Sequence, residues 1–379
     1  MATILFVVCL LLGAYPYIFY PPLAWAISRI SDRKVRKDDA YRPPVTIVIA
    51  AYNEAKHIEA TVRNKLELDY PRELLEVIVV SDGSSDDTDY IVRRLAAADD
   101  RVRLIRQEPR QGKTAALNLA LAEAKNNIIV FSDANSIYER GALKSLVRNF
   151  ADPDVGYVSG QMKYVNPDGS LVGDGCTAYM RYENRLREAE TRLGSIVGVD
   201  GGVDAVRRDL YRQMRADQLP DFVLPLTVVE QGRRVVFERD AVLQEEALGD
   251  EASEFRMRVR VSLRALWALW DKRRLLNPFR YGRFAFQLWS HKVLRYLSFI
   301  PFGIAFALLV FLVAVGRLHW SLLALAFVTL AGAHVEALGR RVAPLRYLRY
   351  FVLLNVASAL AFVRFVRREK QIIWKPREG

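Results

Sequence analysis

Charge is distributed along this 379-residue chain in a way that leaves few folds open. No Asp, Glu, Lys or Arg occurs from Met1 to Ser28, between Arg295 and Arg317, or between Arg317 and Glu336. Residues 31–292 are charged throughout. About 20 helical residues cover the ~30 Å hydrocarbon core of a bilayer, so the apolar runs read as membrane segments and the middle as a water-facing domain. That pattern excludes a simple soluble enzyme, a disordered chain and a disulfide-stapled secreted domain. The two cysteines, Cys9 and Cys176, form no CxxC pattern, and the four histidines are scattered.

The first run is too long for a signal-peptide core and lacks a basic leader, although Ala24-Trp25-Ala26 resembles a cleavage site. It reads as an uncleaved anchor over residues 1–28, with Tyr15, Tyr17, Tyr20 and Trp25 suited to a membrane interface. Basic residues follow it at Arg29, Arg33, Lys34, Arg36 and Lys37, in a linker over 29–42. Lys and Arg beside a span favour the cytoplasmic side. The expected location is the inner (plasma) membrane, with the charged domain in the cytoplasm. Tyr296–Gly316 and Leu318–Val335 read as two further spans, and Arg340, Arg341, Arg346 and Arg349 return the chain to the cytoplasmic side. Tyr350–Val363 has 14 uncharged residues, short enough to lie at the interface instead of crossing. The C-terminal membrane region is therefore 295–369, before a tail over 370–379. The net charge of +12 chiefly reports this topology, since anionic inner-leaflet lipid attracts basic juxtamembrane segments.

The water-facing region alternates strand and helix. Val45–Ala51 and Glu76–Val80 are continuous β-branched runs of the kind buried in parallel sheets. Val102–Ile105 and Ile128–Phe131 repeat the pattern. Helical spacing lies between them at Ile58–Leu66, from Asp86-Asp87-Thr88 to Ala98, and at Lys113–Lys125. This predicts an α/β domain with a mostly parallel sheet, whose ligands bind beyond the carboxyl ends of the strands. Polar groups follow three of those ends: Tyr52-Asn53-Glu54, Ser81–Asp86 and Ser132–Asn135.

These segments resemble a known family. Pro43–Glu54 (PPVTIVIAAYNE), Glu76–Thr88 (EVIVVSDGSSDDT), Gly112–Ala120 (GKTAALNLA) and Phe131–Ser136 (FSDANS) look like family 2 glycosyltransferases. The membrane-bound, processive-type branch of cellulose, hyaluronan and poly-N-acetylglucosamine synthases is the most similar. The resemblance covers about Pro43–Leu266 and implies a GT-A (Rossmann-like) fold over 43–262. It also implies a nucleotide-sugar donor with UDP expected, a divalent cation (Mg²⁺ or Mn²⁺) and inverting transfer to a membrane-associated glycan or lipid-linked acceptor. Exopolysaccharide or cell-envelope synthesis is the implied setting, with polysaccharide-export partners or a homo-oligomer.

Carried over to this sequence, Ala51, Tyr52 and Glu54 line the nucleotide pocket, Asp82 contacts the base or ribose, and Lys113 lies near the base or diphosphate. Asp133 and Asn135 occupy the DxD positions for metal and diphosphate. Asn135 replaces the second acid; its carbonyl still offers a hard oxygen but no charge. Asp221 takes the place of the catalytic base, with Pro220 where an acid is usual; as a plain sequence feature it also suits the cap of a helix over Phe222–Gln231. Asp200, Gly201 and Gly202 resemble the acceptor segment, expected after a strand and before a helix. Arg258 and Arg260 fall in the QxxRW region and would face the leaving diphosphate, but Met257 and Val261 replace its Gln and Trp. Those losses favour two alternatives: single-sugar transfer to a lipid carrier, or an impaired membrane scaffold that binds nucleotide sugar.

Residues 263–294 interleave aromatic side chains (Trp267, Trp270, Phe279, Trp289) with basic ones (Lys272, Arg273, Arg280, Arg283). Such interleaving suits single-stranded nucleic acid or amphipathic helices on a membrane surface. The adjoining apolar run selects the membrane, and no nucleic acid is expected. Loops at Gln161–Asp174 and Val199–Asp204 are expected to shape sugar selectivity.

Overall fold

The computed structural model describes residues 1–165, 174–246, 251–334 and 343–370. Its centre is one eight-stranded sheet in the order β3-β2-β1-β4-β7-β6-β8-β5. The strands are β1 Val45–Ala51, β2 Leu75–Asp82, β3 Val102–Gln107, β4 Ile128–Asp133, β5 Ile137–Tyr138, β6 Val155–Val165, β7 Asp204–Arg207 and β8 Arg234–Glu246. Strands β1 to β4 pair in parallel, as their runs predict. Beyond β4 the sheet is mixed: β7 is antiparallel to both β4 and β6, β6 is parallel to β8, and β5 is antiparallel to β8.

Alternation along the parallel strands divides the core in two. Ile47, Ile49, Val77, Val79 and Val130 pack on one face with Ile58 and Val62 of helix Ile58–Leu66. Val48, Ile78, Val80, Ile129 and Phe131 pack on the other with Ala116, Leu117 and Ala120 of helix Lys113–Glu123. Both faces of these strands are thus covered, which is why they read as unbroken apolar runs instead of alternating ones.

The apolar helices revise the expected spans. Ala2–Ile30 is long and apolar enough to cross a bilayer. Its tyrosines, however, face protein. The hydroxyl of Tyr20 donates to Glu190 at 2.7 Å and the residue is fully buried, while Tyr15 and Tyr17 hydrogen-bond with Ser290 and Ser298. Trp25 stays half-exposed, with the Arg29 guanidinium 3.6 Å above its ring. The run at 296–316 is broken: segments Pro278–Leu297 and Phe299–Ala314 meet at 51° and reach span length only as a pair. Pro301 in the first turn of the second segment fits a helix that starts anew there, because proline lacks the N–H an uninterrupted helix would need.

Of the expected span at 318–335, the described residues form helix Trp320–His334, whose 15 residues rise ~22 Å, and Val335 lies outside the described residues. Conversely, the short run at 350–363 belongs to helix Ala343–Val366, whose part Tyr347–Val366 is long and apolar enough to cross. Charge-free runs understate such a helix because Tyr347, Leu348 and the long aliphatic stems of Arg349 and Arg364 extend it.

The interface region forms helices as expected, with Asn277 capping helix Pro278–Leu288 and Gly282 breaking it at φ 47°. The 262/263 boundary falls inside helix Glu251–Asp271, which packs Val259, Leu263 and Leu266 against Ala357 and Ala361 of helix Ala343–Val366. The sheet domain is thus fastened directly to an apolar helix.

Candidate active site

Register brings the strand ends together. Ala51 pairs with Ser81, Ala50 with Asp133, and Asp82 with Gln107, so the polar residues after β1, β2 and β4 emerge at one sheet edge. The turn after β1 is pinned to the turn after β2. Asn53, at φ 53°, accepts from Ser85 N at 2.8 Å, Glu54 N donates to Thr88 Oγ1 at 2.8 Å, and Ala55 N donates to Asp86 at 3.0 Å.

Asp82 is buried and acts as a hub. Its carboxylate accepts from Gln111 N and Gly112 N, both at 2.8 Å, and from Gln107 Nε2 at 2.5 Å, with Arg110 Nε 3.6 Å away. It thereby holds the loop ahead of helix Lys113–Glu123. Arg110, which the sequence did not single out, lies 3.4 Å above the Tyr52 ring and forms a flat cationic platform at this sheet edge. Ala51 is buried beneath this edge and Glu54 is half-buried beside it.

Lys113 opens its helix directly behind Gly112, whose φ of 91° suits a residue without a Cβ. Its ammonium donates to Asp133 Oδ1 at 2.6 Å and lies 3.9 Å from Asp221 Oδ2. Burial alone would lower its pKa; the carboxylates of Asp133 and Asp221 reverse that and hold it above the usual lysine range. Asp221 lies in the first turn of helix Pro220–Glu230, where the macrodipole favours an anion. Leu219 occupies the cap position with no side-chain bond, so the expected capping role for Asp221 is not found. Burial raises the Asp221 carboxyl above its ordinary pKa; Lys113 and Arg264 oppose the shift and Asp133 adds to it.

The glycine pair joins the two carboxylates. Gly201 and Gly202 have φ of 83° and 77°. A Cβ on Gly201 would stand 2.9 Å from Asp221 Cγ, and one on Gly202 would stand 3.5 Å from Asp133 Oδ2 and 3.0 Å from Leu243. Sequence order placed these glycines after a strand; they instead precede β7, which is followed by a single 3₁₀ turn, Arg208–Leu210. Their neighbour Asp200 is engaged elsewhere: Arg187 grips both its oxygens, one at 2.5 Å.

Asn135 directs its amide toward Glu245 Oε1 at 3.5 Å, which leaves its carbonyl for other partners. Asp133 and Asn135 thus offer hard oxygen donors on one turn. Among the described residues no three His, Cys, Asp or Glu side chains converge on a metal position. Mg²⁺ commonly takes only one or two protein ligands, with substrate phosphate and water completing its shell, so this donor set fits such a cation.

The two arginines of the QxxRW-like segment part company. Arg258 donates to Tyr350 Oη at 2.8 Å, across to the C-terminal apolar helix. Arg260 acts electrostatically on Arg264, one turn further along helix Glu251–Asp271. Arg264, not singled out by sequence, is the arginine whose charge reaches Asp221, and it also donates to Gln218 O. The i, i+4 spacing from Arg260 was the available signal. Asp204 is another residue found only by structure. It lies buried on β7 opposite Ser159, and burial raises its pKa to about 8; Ser159 opposes this, and Asp221 and Asp200 reinforce it. Residues 166–173 of the expected selectivity loop lie outside the described residues.

A carboxylate pair bridged by lysine thus stands at the carboxyl edge of a parallel sheet, where ligands of open α/β sheets bind. Residues 46–215 match the model for Glycosyl transferase family 2, and the chain carries a family 2 glycosyl transferase domain with a GT-A-like sheet. Poly-beta-1,6-N-acetyl-D-glucosamine synthase of Staphylococcus aureus is 27% identical over 192 residues, covering 50% of this chain and 45% of that protein. The probable glycosyltransferase YdaM of Bacillus subtilis is 33% identical over 143 residues, covering 37% of this chain and 34% of that one. The chain therefore matches less than half the length of these curated relatives. The mannosyltransferase PcManGT of Pyrobaculum calidifontis, solved with GDP-Man and Mn²⁺, superposes with a TM-score of 0.74 at 26% identity, covering 96% of this chain and 99% of that one.

Proposed function

We propose that this protein is an inverting glycosyltransferase that moves a sugar from a nucleotide-sugar donor to a membrane-associated glycan or lipid-linked acceptor. The observation that carries the reading is the Lys113 ammonium set between Asp133 and Asp221, with Gly201 packed against Asp221. It offers one carboxylate for the donor's diphosphate end and another for the acceptor.

Asp221 takes the proton of the acceptor hydroxyl as that oxygen bonds to the anomeric carbon. The bond from that carbon to the diphosphate oxygen breaks on the opposite face, and the nucleoside diphosphate leaves. General-base assistance of this kind contributes ~10²–10⁴-fold. Asp133 and the Asn135 carbonyl would hold a divalent cation, Mg²⁺ or Mn²⁺, which when bound supplies positive charge to the diphosphate. Tyr52 and Arg110 form the nucleotide platform, Asp82 fixes the loop beneath it, and Arg264 replaces Arg258 as the arginine acting on the base.

The names of the relatives support exopolysaccharide or cell-envelope synthesis, with the catalytic domain on the cytoplasmic side. A second reading, addition of one sugar to a lipid carrier, is favoured by Val261 at the position of the QxxRW tryptophan. Purified protein offered labelled UDP- and GDP-sugars with Mn²⁺ tests the activity and the expected uridine preference together. Separation of lipid-linked from polymeric product distinguishes the two readings. Absence of transfer or hydrolysis across the whole panel would leave the impaired-scaffold alternative standing.

A further inference from the structure

Strands β4 and β7 part where the site begins. Their antiparallel ladder ends at Phe131 opposite Asp204. Beyond that rung β4 runs on to Asp133, while the segment ahead of β7 carries Gly202 and Gly201. The positions where a Cβ would stand show what each glycine packs against: Asp133 Oδ2 and Ser136 Oγ for Gly202, and Asp221 for Gly201. A shift of the glycine pair relative to β4 therefore changes how Asp133 and Asp221 sit towards each other.

One side chain spans this fork. Tyr138 on β5 is buried, and its hydroxyl lies 2.8 Å from Phe131 O and 2.7 Å from Gly202 O. A phenol carries one proton, so the two carbonyls share it just where the ladder stops. Tyr138 is itself held from behind by helix Ile58–Leu66. Asn64 accepts from Tyr138 N at 2.8 Å and donates to Tyr138 O at 3.0 Å. Lys65 Nζ lies 3.8 Å from the centre of the Tyr138 ring and donates to Ser136 O at 2.6 Å. Thr61, one turn earlier, donates to Ala134 O at 2.7 Å. Both Thr61 and Lys65 are fully buried. The turn that carries Asp133 and Asn135 is thus clamped at the carbonyls of Ala134, Ser136 and Tyr138, and the Tyr138 hydroxyl extends that clamp to the glycine pair.

We propose that Tyr138 is a positioning residue for the transfer step: its hydroxyl ties the end of the Asp133 strand to the glycines packed on Asp221 and so keeps the base in register with the donor. The inference rests on the glycosyltransfer reading and adds a residue to that same site. A misplacement of ~1 Å in such a site costs on the order of 10²-fold in rate. An acceptor hydroxyl is bound in one place, whereas water follows a displaced base. Loosening the fork therefore costs transfer more than hydrolysis of the donor.

The test uses the full chain in membranes of its source cell, given labelled UDP- and GDP-sugars with Mn²⁺. Label in lipid-linked or polymeric product counts as transfer and label in free sugar as hydrolysis, with membranes lacking the chain as the blank. Tyr138→Phe should lower transfer about tenfold and raise the ratio of hydrolysis to transfer about fivefold, with donor KM within about twofold of wild type. A purely structural role lowers the folded fraction and both products together, which leaves the ratio where it was. An unchanged ratio in Tyr138→Phe overturns the proposal at any rate of transfer. The amine of p-aminophenylalanine at position 138 again donates to the two carbonyls and should restore the wild-type ratio. Tyr70→Phe is the control: it removes a buried tyrosine hydroxyl that donates to Pro43 O, ahead of the opposite end of β1, and should leave the ratio unchanged. If Tyr138→Phe fails to accumulate, Lys65→Met decides, since it frees the back of the ring; the ratio should rise about twofold, and no rise overturns the proposal. Wild type with no turnover above the blank sinks glycosyltransfer and this inference with it, while wild-type turnover with an unmoved ratio sinks Tyr138 alone.

Discussion

The donor side and the acceptor side of this site are built by different means. The donor side is local: three parallel strands end in register, and each contributes the residues that immediately follow it. Its hydrogen bonds run from turn to turn, as between Asn53 and Ser85 or Asp82 and Gly112. The acceptor side is assembled from segments far apart in sequence, with Gly201, Asp221 and Arg264 reaching one region from different elements. On the proposed function, nucleotide binding belongs to a repeating strand–turn unit, whereas choice of acceptor belongs to how that unit is mounted on the apolar helices.

If this division is right, substitutions on the two sides should separate donor binding from transfer. Asp221→Asn should lower the transfer rate by ~10²–10⁴-fold while nucleotide binding persists. In wild type, activity should fall as pH drops through a value above the ordinary carboxylate range, because burial raises the Asp221 pKa and protonation removes the base. An acid limb at an ordinary carboxylate pKa would count against that role.

Asp133→Ala should act on the donor side, weakening Mn²⁺-dependent nucleotide binding by ~10–100-fold, a range that even outer-shell changes near metals produce. Isothermal titration with and without Mn²⁺ measures this. Gly201→Ala should strain a positive-φ turn by ~1–3 kcal/mol and press on Asp221, lowering kcat about tenfold with donor KM preserved. A change confined to donor KM would break the division.

Arg264→Met should lower kcat more than Arg258→Met, whose partner is Tyr350; the reverse order would restore Arg258 to the site. The smallest effect concerns Asp204. Its folded-state pKa of about 8 lies above the unfolded value, so the protonated form is the one the fold favours. Thermal stability should fall as pH rises from the ordinary carboxylate range to about 8, then level off. Asp204→Asn should flatten that slope in detergent-solubilised protein.

Much of the donor side was legible because its signals are short-range. Continuous β-branched runs gave β1, β2 and β4 nearly to the residue, and the polar turns followed them directly. Lys113, Asp133 and Asp221 were also marked in advance, yet their meeting around one ammonium was not, since they lie on three elements. Arg258 and Arg264 show the limit most plainly. Two arginines on one helix look equivalent in sequence, and only the docking of that helix between the sheet domain and helix Ala343–Val366 aims one at Tyr350 and the other at the base. The helix bounds differ from the charge-free runs for a related reason. Counting charge-free residues missed the extension of the last helix and the break near Pro301, because helix length depends on backbone continuity as well as on charge.

By itself, the sequence determined an α/β domain placed between apolar segments, together with the residues that end its parallel strands. Apolar periodicity and turn chemistry act over a few residues, and they suffice for that. The tertiary structure alone decided that Asp200 is occupied by Arg187, that Tyr20 is buried in protein, and that Arg264 is the arginine acting on Asp221. Those outcomes depend on which charged groups meet when distant helices pack, and the free energy of a buried charge is set by its neighbours in space.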